Sequence, residues 1–196
     1  MTLQQPDRQL AKRPDTQSAK RFSWGGILTV LTVLSTLAVA CGTPFAALAA
    51  LAALFLPRRD AFALIAVNWL ANQAIGFGLL HYPFNWDCYR GGIDLAIAAL
   101  LSTMAAMLAQ GALRNVATPV RAIGSFAVAF LAYEGALFLL SPAGSRAAFA
   151  APVVLYIFYV NAVAFVALLL LHTAAAALGF RANPPVAATG NAQAGS

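Results

Sequence analysis

Residues Thr43–Leu56 read TPFAALAALAALFL, and whether this run crosses a membrane decides the fold. A helix of that length reaches about 21 Å, short of the roughly 30 Å hydrocarbon core of a bilayer. Gly42-Thr43-Pro44 breaks the chain ahead of it, and proline suits a first helical turn. Upstream, Trp24–Gly42 is apolar over 19 residues, long enough to span, and reads as a retained first helix rather than a cleaved signal. Downstream, apolar runs cover Ala61–Leu80, Gly92–Leu113, Val120–Leu140 and Ala151–Leu178.

The basic residues favour a crossing. With six crossings, Arg8, Lys12, Arg13, Lys20, Arg21, Arg58, Arg59, Arg114, Arg121 and Arg181 share one side and only Arg90 and Arg146 the other, ten against two. Without the short run the split becomes seven against five. Cytoplasmic loops carry the excess of Lys and Arg. The expected fold is therefore an all-α integral membrane protein, a six-helix transmembrane bundle with both termini cytoplasmic.

Composition agrees with that class. The chain is 61% hydrophobic and 9% charged with mean hydropathy +0.77, whereas soluble domains carry roughly 25% charged residues. The net charge of +6 comes from short basic clusters between apolar runs, which fits topology signals and anionic lipid rather than nucleic acid. The expected domains are a disordered basic cytoplasmic tail over 1–22, a six-helix membrane domain over 23–181 and a disordered tail over 182–196. Within the short run, Ala46 and Ala50, and Ala49 and Ala53, stand four apart. Such pairs let helices approach closely; they are either a docking face for another membrane subunit or a by-product of an alanine-rich composition.

Polar chemistry is concentrated in one place, Asn68–Asp94, NWLANQAIGFGLLHYPFNWDCYRGGID. Polar groups in hydrocarbon cost several kcal/mol each unless partnered, so this stretch should face a cavity, a ligand or water. Asn68 and Asn72 share a helix face, with Trp69 and Gln73 beside them; they either tie helices together or rim a site. His81, Tyr82, Asn85, Trp86, Asp87, Cys88, Tyr89 and Arg90 follow in an expected outer loop. Its aromatics suit a membrane interface, while Arg90 could meet an anionic ligand group. Asp94 is expected to cap the next helix.

Cys88 has three readings: a disulfide with Cys41, the only other cysteine; an inert thiol; or a soft metal ligand near His81 and Asp87. Glu134 lies about 9 Å inside the fifth run, and an ionisable group at that depth should face the bundle interior or an outer cavity. Tyr156, Tyr159 and Asn161 could line the same space, and His172 reads as a packing residue. The sequence contains no G-x-x-x-x-G-K-[ST] loop, no His-Glu-x-x-His and no Cys-x-x-Cys-His, so ATP hydrolysis by the P-loop route and those metal chemistries are excluded. Gly124-Ser125-Phe126 lacks the small residue that would follow an intramembrane nucleophilic serine.

Six short helices, a basic cytoplasmic tail, Ala-xxx-Ala pairs and a polar outer loop with one cysteine resemble the substrate-binding S components of energy-coupling factor (ECF) vitamin transporters, within them the BtuM-type cobalamin carriers. The resemblance spans Trp24–Leu178 and rests for specificity on the Cys88 loop. It implies an inner-membrane transport subunit with no cofactor of its own, binding cobalamin (vitamin B12) as substrate in an outward-facing pocket. Cys88 thiolate would be the axial cobalt ligand, able to displace an upper-face cyanide. Partners would be the lipid bilayer and an energy-coupling module of a transmembrane subunit plus ATPases. One departure is that the alanine pairs fall on the second apolar run, where S components carry them on the first. A small structural or assembly protein with a Cys41–Cys88 disulfide, an S component for another vitamin, and a metal site remain the alternatives.

Overall fold

A computed structural model describes residues 43–142 and 147–177. They form five α-helices: α1 (Phe45–Phe55), α2 (Arg58–Gly78), α3 (Trp86–Ala112), α4 (Thr118–Leu140) and α5 (Ala151–Ala177). The described chain is all-helical, and four stretches, Arg58–Gly78, Trp86–Ala112, Thr118–Leu140 and Ala151–Ala174, are long and apolar enough to cross a membrane. The expected first helix over Trp24–Gly42, both tails and the basic residues in them lie outside the described residues.

The helix of the short run is much shorter than the other four. Helix α1 has 11 residues, about 16 Å, and sits at the hub of the bundle in contact with α2, α3, α4 and α5. Every residue from Phe45 to Ala52 is buried. Thr43 Oγ1 donates to Asn72 Oδ1 at 2.7 Å, about 21 Å along α2 from Arg58, so α1 begins inside the bundle rather than at its edge.

Alanine is what allows this. With six alanines among its 11 residues, α1 can be enclosed by four helices at close range. Ala46, Ala49 and Ala50 are fully buried and Ala53 is half-buried. The pairs expected as a docking face are thus buried within this chain. The helix start is buried too, and Asn161 on α5 satisfies it. Its Oδ1 accepts from Ala47 N–H at 3.2 Å while its Nδ2 donates to Ile157 O.

Helices α3 and α4 are antiparallel neighbours joined by small polar side chains. Ser102 Oγ donates to Ala129 O at 2.8 Å, and Gln110 Nε2 donates to Ser125 Oγ at 2.7 Å. Inside hydrocarbon such bonds replace water as partners. Rings of Phe126, Phe130, Phe158 and Phe165 fill the α4–α5 seam. His172 stacks on Phe55, with ring centroids 3.7 Å apart, which agrees with a packing role. Arg58, Arg59, Arg114 and Arg121 therefore share one end of the bundle, where α1 and α3 finish and α2 and α4 start. Cys88 and Arg90 occupy the opposite end.

Candidate functional site

At that opposite end, the strap between α2 and α3 is shorter than the sequence suggests. The expected loop reached Gly92; the structure starts α3 at Trp86, and Asn85 is its N-cap. Asn85 Oδ1 accepts the Cys88 backbone N–H at 3.0 Å, satisfying one of the first-turn donors that a helix leaves unpaired. Asp87 lies in the same first turn, where a carboxylate is favoured by the helix dipole. Cys88 is thus the third residue of a helix, half-buried.

This moves other residues as well. Asp94 is not a cap but sits in the third turn, its Oδ2 3.7 Å from Arg90 Nε. Arg90 also donates from Nη2 to Leu140 O at 3.1 Å, satisfying a carbonyl at the end of α4. Arg90 is therefore tied across to α4 while its side chain stays 45% exposed.

The strap itself is built by folding back. Leu80 N–H reaches Ile75 O and Tyr82 N–H reaches Gly76 O, both at 3.0 Å, which satisfies the last carbonyls of α2. His81 makes the reversal with φ of 53°, a left-handed conformation that costs a non-glycine residue roughly 1–2 kcal/mol. Its ring Nδ1 lies 3.0 Å from Leu79 O. The reversal lays the Tyr82 ring over Gly76, where an added Cβ would stand 2.8 Å from two ring carbons.

Between α2, the strap and α3 lies a cleft of about 230 Å³. Helix α2 contributes Asn72, Gln73, Ile75 and Gly76, and the strap Leu80 and Tyr82. Helix α3 contributes Cys88, Gly91, Gly92 and Leu95, which fall at i, i+3, i+4 and i+7 and so form one helix face. Gly92 keeps that face open to Gln73, whose Oε1 would stand 2.5 Å from an added Cβ. Trp69 Nε1 donates to Gly92 O at 2.8 Å and pins α2 to α3 at the same level.

Of the residues singled out in the sequence, Asn72, Gln73, Tyr82 and Cys88 meet in this cleft. Asn68 is in the core instead, 2% exposed, with Nδ2 donating to Leu64 O and Oδ1 unpartnered. Tyr89 and Phe84 stack on Phe77, each with centroids 5.3 Å apart, and Tyr82 meets the same ring edge-on. Trp86, His81 and Asp87 are exposed around the mouth.

The other expected members lie elsewhere. Tyr156 and Tyr159 are 60% and 66% exposed on α5, on the outside of the bundle, and Asn161 is the α1 cap. Glu134 is 8% exposed on α4, with both carboxylate oxygens lacking a partner, and does not line the cleft. Among the described residues no group of three or more His, Cys, Asp and Glu is placed to hold a metal ion, so His81, Asp87 and Cys88 do not form a closed metal site. The Cys41–Cys88 pairing involves a residue outside those described.

Sequence reasoning missed Ile75, Leu80, Gly91, Gly92 and Leu95. The signal was present in Asn85-Trp86-Asp87, a capping residue followed by an acid in the first turn. Starting the helix there puts the two glycines on the face of Cys88 directly.

The fold and the cleft define an all-helical protein with membrane-spanning helices and a thiol-bearing cleft at one end of the bundle. Compared with known proteins, the chain has no significant match to a family model, a curated protein or a solved structure.

Proposed function

We propose that this chain is an inner-membrane substrate-binding subunit for cobalamin uptake, with Cys88 as the axial ligand to cobalt. The observation that carries the reading is the position of Cys88. Its half-buried thiol shares a cleft with the amides of Asn72 and Gln73, at the bundle end opposite Arg58, Arg59, Arg114 and Arg121. By the positive-inside rule the arginine end is cytoplasmic and the thiol end faces out. On this reading Trp24–Gly42 adds the remaining crossing, and both termini are cytoplasmic.

The residues suit the guest. A thiolate is a soft ligand matched to late transition metals, and the amides of Asn72 and Gln73 can pair with the amide side chains around a corrin ring. Gly91, with open space where a Cβ would be, lets a flat ring approach the backbone of α3. In a cyanide-bearing corrinoid, a new sulfur–cobalt bond would replace the cobalt–carbon bond, with cyanide as the leaving group. The cleft is smaller than the roughly 300–1,000 Å³ typical of ligand pockets, so a corrinoid lies across its mouth unless a wall moves. The chain has no P-loop, and uptake against a gradient would need a coupling module with ATPases. That module must dock on a face other than the buried alanines of α1.

The test is retention of cobalamin by the purified full chain. Wild type should keep a coloured, stoichiometric ligand through size-exclusion chromatography, and Cys88→Ala should lose most of it. Equal retention by both proteins, or none by wild type, overturns the reading.

A further inference from the structure

The cleft has two fixed walls and one movable one. Its α2 and α3 walls are helical and pinned together by the bond from Trp69 Nε1 to Gly92 O, 2.8 Å. The third wall, Leu80 and Tyr82, belongs to a strap outside any helix. Helix ends bound it on both sides. Gly78 closes α2, with open space where a Cβ would be, and the Asn85 cap opens α3. Between them His81 holds a left-handed backbone.

Local contacts help to hold the strap shut, among them the stack of Phe84 on Phe77. Tyr82 lies over Gly76, where the missing side chain leaves room for its ring. Its N–H bonds Gly76 O at 3.0 Å, and its ring meets Phe77 edge-on at 6.2 Å. These contacts can break without unwinding either helix. Releasing them removes the wall facing Cys88 and joins the cleft to the exposed aromatic surface of Phe84 and Trp86.

We infer that Tyr82 is the gate of this site: its ring occupies the cleft over Gly76 in the closed state, and a bulky planar guest reaches Cys88 only when the strap swings out. The inference rests on the reading above in taking Cys88 as the contact group, and it explains how a cleft of about 230 Å³ can serve a larger ligand. Breaking an aromatic contact of ordinary strength changes a two-state population roughly two- to twelvefold.

The test is the rate at which Cys88 reacts with thiol probes of two sizes, in the full chain carrying Cys41→Ser and reconstituted in lipid nanodiscs. Tyr82→Ala should raise the rate with a polymer-bearing maleimide by about fivefold or more, and the rate with a small methanethiosulfonate much less. Gly76→Ala should act in the same direction, because its methyl would stand 2.8 Å from the Tyr82 ring and must displace it. Gly111→Ala, which adds a methyl in open space at the other end of α3, should leave both rates unchanged. If Tyr82→Ala leaves the bulky-probe rate at the wild-type value, or raises both rates equally, the gate is refuted. Should Gly76→Ala fail to fold, Tyr82→Ala decides the matter. Because no cobalamin is used, the gate can stand while the choice of ligand falls, and the reverse.

Discussion

Replacing Asn85 by alanine removes the one side-chain bond that caps α3. Its Oδ1 accepts the Cys88 N–H at 3.0 Å, and loss of such a cap costs about 1 kcal/mol, within a range of roughly 0.5–2. The loss should be local. Ser102 bonds to α4 several turns further on, and Trp69 fixes the second turn through Gly92, so only the first turn is free to fray. A change of about 1 kcal/mol is roughly a fivefold change in an opening equilibrium. Amide hydrogen exchange read by mass spectrometry should therefore show peptides covering 86–89 exchanging about fivefold faster in Asn85→Ala, with protection elsewhere in α3 unchanged. Asn85→Asp keeps an acceptor and should restore protection. The reasoning is refuted if 86–89 exchange at the wild-type rate in Asn85→Ala, which is what a solvent loop with Asn85 as a ligand contact requires. Loss of protection along the whole of α3 refutes it equally.

Three further outcomes follow from the core. Asn161→Ala should leave the buried Ala47 N–H without an acceptor and cost roughly 1–3 kcal/mol, read as a lower midpoint in detergent unfolding; an unchanged midpoint would remove Asn161 from the α1 cap. Ala49→Leu should overpack the fully buried face of α1 by about 1–3 kcal/mol or more, whereas a docking role would leave the isolated chain as stable as wild type. Glu134→Leu should hold or raise the midpoint, because both carboxylate oxygens are buried without partners and an apolar isostere removes that cost. A marked fall in midpoint would show that Glu134 is paired.

The membrane class was legible because composition is a bulk property: a chain with 9% charged residues has too little polar surface for water. The spans were legible for the same reason, and four of the expected runs coincide with helices long enough to cross. The short run was harder. Length and arginine counts weigh only whether a segment crosses, whereas α1 combines low polarity with a short reach by starting inside the bundle, where Asn72 and Asn161 meet it. No periodicity signals such a partnership, since it depends on residues 29 and 114 positions away.

At the site, the residue types were found and their setting was not. Aromatic and polar content made 81–92 look like a loop, yet a cap and an acidic first turn outweigh composition once α3 packs on α4 through Arg90 and Leu140. Glu134, Tyr156 and Tyr159 were grouped with Cys88 by depth along their helices alone. Depth does not fix azimuth, and the structure turns the tyrosines outward.

The proposed function rests on a bond between the Cys88 sulfur and the metal of a corrinoid guest. Cobalt K-edge X-ray absorption of the cobalamin-loaded chain reads that bond directly. A sulfur scatterer in the first cobalt shell of wild type, absent in Cys88→Ser, is the predicted result; a first shell of nitrogen, carbon and oxygen alone in wild type would contradict it.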